Sequence, residues 1–179
     1  AGYMVYSDFR KFLNEITERH FNSKELVAYI SNEQIYLDRE KIVELGLAYD
    51  EVVSVLTHEV LLFPMVAKAH SAKTMSTTEF TKGIPALLQN GFHQKYSGDI
   101  LLTLNPSTIS RSTRTGTTHG SGYTYDTHVP LLFFGNGIKQ GRSDNYVPIT
   151  SIVPTLSSLL NMTVPEGCTS NPIVEVLKE

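Results

Sequence analysis

The residues able to do chemistry gather in one stretch, Gly116-Thr117-Thr118-His119-Gly120-Ser121-Gly122-Tyr123-Thr124-Tyr125-Asp126-Thr127-His128. Two histidines and an aspartate stand there among small residues that let a backbone approach a ligand closely, an arrangement suited to a divalent cation. The spacing alone does not choose a role. His119 and His128 are not at the i, i+4 separation that places two ligands on one helical face, and no glutamate base lies between them. The same residues serve equally as a hydrogen-bonded loop, in which Asp126 either caps the turn or orients an imidazole. Tyr123 and Tyr125 read as packing residues. Arg111 and Arg114, just upstream, are either an attraction for an anion or solvated loop charges. Cys168 is the single cysteine, so the chain has neither an internal disulfide nor a cysteine-clustered zinc site.

The elements that must position this stretch follow from periodicity. Phe9, Phe12, Leu13 and Ile16 mark one apolar face of a helix over about 8–20, with Ser7 or Asp8 as N-cap. Leu26 to Ile30 and Gln34 to Leu37, separated by Ser31-Asn32-Glu33, read as an antiparallel hairpin. A helical turn from Arg39 to Leu45 ends at Gly46, a stronger helix runs from Asp50 until Pro64 stops it, and Met65 to Ala69 reads as a strand. That order predicts a small α+β layer over residues 1–75, two helices covering one face of an antiparallel sheet.

A further helix spans about Glu79 to Leu88, after which the character of the chain changes. Ile100 to Leu104 and Val129 to Phe134 are continuous apolar runs of the kind found in strands buried on both faces, expected in a largely parallel sheet. The polar segment Ser107 to Thr127 between them is long for a structureless loop, which points to function. Pro148 to Leu160 is an amphipathic helix expected to pack Ile152, Val153, Leu156, Leu159 and Leu160 onto the sheet. The fold class is therefore α/β, with a boundary near residue 75 separating the α+β layer from residues 76–179.

The chain of 179 residues is long enough for one good core and a second small one. Its formal net charge of −3 arises from charges spread along the sequence, with no basic stripe to follow a phosphate backbone, so nucleic acid is not the expected partner. No apolar stretch approaches the roughly 20 residues that cross a bilayer.

Taken together, Gly116-Thr117-Thr118-His119-Gly120-Ser121, Tyr125-Asp126-Thr127-His128-Val129-Pro130-Leu131-Leu132 and Ile149-Thr150-Ser151-Ile152-Val153-Pro154-Thr155-Leu156 resemble the alkaline phosphatase superfamily, in particular the bacterial periplasmic phosphatases related to type I phosphodiesterase/nucleotide pyrophosphatases. Thr81-Lys82-Gly83-Ile84, Gln89-Asn90-Gly91 and Ser97-Gly98-Asp99 are similar to them as well. The resemblance implies a zinc-dependent phosphate-ester hydrolase with two zinc ions, an exported or periplasmic setting, and the C-terminal part of an alkaline-phosphatase-like α/β sandwich preceded by an α+β insert. His119 matches the metal-binding histidine of the histidine-glycine motif, and His128 is a second choice. The threonine or serine nucleophile and the other metal ligands come, in that family, from segments that precede the part matched here. The resemblance thus assigns no catalytic or cofactor-binding residue to this chain, only the metal ligand His119. It implies that the chain alone is inactive and that its partners are a phosphate-ester substrate in the intact parent and the upstream catalytic segment, with unpaired strand edges favouring a dimer of the fragment. A non-catalytic interaction module, or part of a phosphodiesterase or sulfatase relative, are the alternatives.

Overall fold

The structure, a computed structural model, describes residues 2–177, and the chain divides into two compact units, Ala1–Val129 and Pro130–Glu179. The first unit begins with β1 (Gly2–Val5) and α1 (Tyr6–Phe21). α1 buries Phe9, Leu13, Ile16 and Thr17, the i, i+4, i+7, i+8 stripe of an amphipathic helix, and ends at Asn22, which takes the left-handed conformation at φ 52°. Neither Ser7 nor Asp8 caps it. The helix starts two to three residues earlier than these capping residues suggest, and Asp8 lies in the first turn.

β2 (Val27–Ser31) and β3 (Gln34–Leu37) form the expected hairpin. Asn32 and Glu33 both adopt positive φ, 47° and 57°, the two-residue turn whose twist matches that of the flanking strands. α2 (Arg39–Glu44) is capped by the Asp38 side chain, and α3 (Tyr49–Glu59) presents Val52, Val53 and Leu56 to the core. β4 (Val66–Ser71), α4 (Ala72–Thr77), α5 (Gly83–Gly91) and β5 (Ile100–Leu104) follow. The four strands make one antiparallel sheet in the order β2-β3-β5-β4, and α1, α2 and α3 bury their apolar faces against it.

β5 is buried along its whole length, as its unbroken apolar run requires, but its neighbours are antiparallel. An apolar run reports burial on both faces and says nothing of strand direction. Because β5 lies between β3 and β4, it ties residues far beyond 75 into the same sheet, and the compact unit closes at Val129. β1 pairs in parallel with β6 (Thr108–Arg111), a ribbon carved from the supposed loop. Gly2 is required there: a Cβ on it would stand 2.6 Å from Thr108 Oγ1.

One carboxylate stitches this unit together. Asp99, only 6% exposed, accepts hydrogen bonds from Arg39 Nη2 (2.6 Å) and the Tyr49 hydroxyl (2.6 Å) on Oδ1, and from the Leu37 N–H (2.7 Å) on Oδ2. Its own N–H donates to Ile35 O and its carbonyl accepts from Ala72 N. Gly98 beside it runs so close to β3 that a Cβ would meet Ile35 O at 2.8 Å.

The second unit holds α7 (Ile152–Leu159), entered through a 3₁₀ turn at Ile149–Ser151; α6 (Thr124–Thr127) belongs to the first. Here two expectations fail. Val129 to Phe134 forms no strand, and Leu132 and Phe134 lie fully in solvent, at 89% and 104% relative exposure. α7 buries Pro154, Thr155 and Ser157 while Val153, Leu156 and Leu160 remain open. The buried anchor is Thr155, whose hydroxyl donates to Ser151 O (2.6 Å) and accepts from Ile173 N (2.9 Å). A strand and an apolar helix face both need a partner surface, and the described residues of this unit supply none.

Replacing Asp99 by alanine strands a backbone N–H and a phenol hydroxyl, so the free energy of unfolding should fall by about 2–4 kcal/mol in urea titrations. Burial first, and then the bond to Asp99, raise the Tyr49 phenol above its usual value of 10.0. The folded state therefore keeps that proton longer than the unfolded one, and this stabilisation is full below pH 10 and is lost as pH climbs toward the raised value. Tyr49→Phe should flatten the decline in stability measured above pH 10.

Candidate functional site

The histidine-glycine stretch belongs to the first unit, between β6 and the end of α6. Although 112–123 contains no regular element, it is held by named contacts. At its start the Arg111 guanidinium donates to Thr117 O, and the Tyr3 hydroxyl on β1 donates to Gly116 O (3.2 Å). At its end the Tyr123 hydroxyl donates to Leu104 O at the end of β5 (2.9 Å), and the Tyr125 hydroxyl accepts from Ser107 N (2.9 Å). The two tyrosine rings stack at 5.6 Å. Gly122 passes Ile84 of α5 with no room to spare, since a Cβ would stand 3.0 Å from it.

Asp126 supplies the remaining tie. Its Oδ2 accepts from both the N–H (3.0 Å) and the hydroxyl of Ser121, closing a six-residue loop. The Ser121 hydroxyl holds this carboxyl below its ordinary value, with the Ser121 N–H and the nearby His119 acting in the same direction. Of the two roles open to Asp126, the loop-closing one is observed, and no hydrogen bond joins it to either imidazole among the described residues.

His119 lies exposed at the crest of the loop, between Thr118 and Gly120 with its φ of +117°. Its imidazole makes no hydrogen bond among the described residues, and His128, also exposed, ends α6. No group of three or more His, Cys, Asp or Glu side chains able to hold a metal ion occurs among the described residues. A catalytic zinc takes three protein ligands, so the residues brought together here do not by themselves fit one. Arg111 is spent on the loop, and Arg114 pairs with Asp8 at 3.4 Å across an exposed surface where such a pair contributes little.

The sequence identifies the loop but not its fastenings. Tyr3, Arg111 and Ser121 act on it as positioning residues through bonds that no local pattern announces; the tie from Ser121 to Asp126, five residues later, also falls outside the Asx turn, in which the carboxylate accepts from an N–H two residues further on.

No protein-family model matches the chain. It is 34% identical over 177 residues to the alkaline phosphatase PafA of Elizabethkingia meningoseptica, an alignment covering 99% of this chain and 32% of that protein. It is 31% identical over 180 residues to a protein of Myroides odoratus named as a calcium-transporting ATPase, covering 100% of the chain and 33% of the relative. It is 29% identical over 149 residues to the alkaline phosphatase PhoV of Synechococcus elongatus, covering 83% and 27%. The crystal structure of wild-type PafA superposes with a TM-score of 0.88 at 32% identity, over 99% of this chain and 34% of that one. The chain spans about a third of the length of these relatives.

Asp126→Ala should release the loop, and hydrogen exchange at the Ser121 amide should speed up while the β5 amides keep their protection. The depressed carboxyl favours the closed loop above its unfolded value of 3.8, so in the parent sequence the same protection should fade as pH drops below that value.

Proposed function

Since the chain is homologous along its length to alkaline phosphatases and shares the fold of the matched part, we propose that it is the C-terminal portion of a metal-dependent phosphate-ester hydrolase, inactive alone and completed by upstream residues. The observation that carries this reading is the inverted burial of the second unit. Leu131, Leu132, Phe134, Ile149, Val153, Leu156 and Leu160 are all exposed large apolar side chains on a stretch of thirty residues. Soluble chains rarely leave such a surface uncovered, and enclosing each of those side chains contributes about 1.5–3 kcal/mol. A sheet supplied by the other two thirds of the relatives' length is the cover proposed for it.

On this reading His119 contributes one metal ligand to a site whose other ligands, nucleophile and phosphate clamp lie upstream, and zinc is the metal proposed. The support is the free, exposed imidazole on a loop fastened at both ends, since a ligand held in place loses less freedom on binding. Residues 1–75, whose sheet β5 completes, are proposed as the insert that caps the hydrolase core. The setting proposed is the periplasm or another exported one. A phosphodiesterase built on the same scaffold is distinguished by assaying the intact parent on mono- and diesters.

In the intact parent, hydrolysis of 4-nitrophenyl phosphate should depend on added zinc, and His119→Ala should reduce kcat/KM by about a hundredfold or more, with less zinc retained after dialysis. An unaltered rate and zinc content would remove His119 from the site. The chain of 179 residues should show no such hydrolysis and no tight zinc binding by calorimetry; zinc-stimulated turnover abolished by His119→Ala would overturn the claim that it is incomplete. Without its cover, the chain should self-associate as its concentration rises in sedimentation velocity, and the double substitution Leu132→Asp, Phe134→Asp should shift it toward monomer.

A further inference from the structure

A second cluster of side chains, on the outer side of the first unit, is used by none of the foregoing. The hairpin turns Ile35 and Leu37 into the core and stacks Tyr29 on its cross-strand partner Tyr36, with ring centroids 4.1 Å apart and planes 14° apart. Tyr29 remains 51% exposed. The segment before β5 brings Lys95 and Tyr96 to the same place, Tyr96 being 68% exposed with its carbonyl accepting from the Tyr36 hydroxyl at 3.3 Å. With Arg39 and Asp99 they line a cleft of about 400 Å³, within the range of small-ligand sites.

The charges in this cleft do not cancel. Both Asp99 oxygens are occupied, by Arg39 and Tyr49 on one and by the Leu37 N–H on the other. The Arg39 side chain is fixed by that bond and by the Tyr49 ring 4.7 Å beneath it, yet is 68% exposed, so its other N–H edges face solvent. Lys95 Nζ stands 5.5 Å over the Tyr96 ring and pairs with no carboxylate among the described residues. One buried anion thus faces two cations, beside an exposed stack of aromatic rings.

We infer that this cleft is a binding site for a small planar ring carrying a terminal anion, a phosphate or a carboxylate, with the ring laid on the Tyr29–Tyr36 stack and the anion met by Lys95 and the open edge of Arg39. Each half answers a specific feature: aromatic faces attract a third ring in offset stacking, and the guanidinium and ammonium donate to anionic oxygens. Stacking of a planar ring on an aromatic side chain needs only a π-face on each partner, as in nucleic-acid binders. Binding at this cleft does not depend on the hydrolase reading, because none of its residues takes part in the histidine loop.

The test is ligand titration followed by NMR chemical shifts on the metal-free chain, with phenyl phosphate and benzoate as ring anions, and inorganic phosphate and phenol as their halves. The ring anions should perturb the Tyr29, Lys95 and Tyr96 signals and bind about tenfold or more tightly than either half. Phenyl phosphate favoured over benzoate identifies phosphate as the anion, the reverse a carboxylate. Tyr29→Ala and Lys95→Ala should each weaken ring-anion binding by about tenfold, and Tyr29→Phe should retain it; their exposed positions leave the melting temperature near that of the parent chain. His119→Ala should bind the ring anions unchanged, which separates this site from the hydrolase reading. Inorganic phosphate binding as tightly as phenyl phosphate, or Tyr29→Ala and Lys95→Ala binding as well as the parent chain, would overturn the inference.

Discussion

The first unit depends on the burial of one carboxylate. Burying Asp99 without partners would be prohibitive, and its partners fix three parts of the chain at once: Leu37 at the end of β3, Arg39 at the start of α2, and Tyr49 at the start of α3. Backbone bonds from the same residue reach Ile35 and Ala72. β5 leaves Asp99 already in register, and the polypeptide that covers the core is drawn in around it. The close approach at Gly98 follows, since a side chain there would push β3 away before Leu37 could reach the carboxylate. Because Arg39 is exposed, part of its interaction is screened, and the buried donors from Leu37 and Tyr49 are what make the arrangement costly to lose.

That frame sets where the histidine loop begins and ends. β5 delivers Leu104 to receive the Tyr123 hydroxyl, and β6 places Arg111 where it can hold Thr117. The parallel pairing of β6 with β1 brings Tyr3 within reach of Gly116. A loop rich in glycine and serine would otherwise carry a large conformational entropy, which these ties remove before any ligand arrives. His119 is left as the unfastened side chain at its crest.

How much of this was legible in the sequence differs by element, for physical reasons. The α1 stripe, the hairpin around Asn32 and Glu33, and α3 are written in local periodicity and turn chemistry, and they appear where those patterns place them. β1 and β6 were missed because each is four residues long and acquires its strand character from a partner about a hundred positions away. The run Ile100 to Leu104 and the run Val129 to Phe134 carry the same signal, and only the first finds neighbours within these residues. An apolar run states a demand for burial and does not guarantee its supply. At the site, residue types identified the loop and the role of Asp126 remained open between two hydrogen-bonding arrangements; the structure decides it by the contact with Ser121, but the local sequence does not encode which donor the carboxylate takes.

The exposed apolar face and the lone imidazole express one condition. A helix that hides Thr155 and Ser157 while presenting Val153, Leu156 and Leu160 is favourable only against another apolar surface, and a histidine on a fastened loop is useful to a metal only beside further ligands. On the proposed reading each is half of an interaction, one hydrophobic and one coordinative. The relatives are about three times as long as this chain, and on the same reading their further polypeptide would provide both complements. Covering the apolar face would restrict the second unit and so hold Thr155 and its partner Ile173 in place, while the histidine loop is already restricted by its own fastenings. The folding of the proposed parent would then proceed unequally: the Asp99-centred sheet and the loop can order locally, whereas the second unit gains its apolar burial only on assembly with the rest.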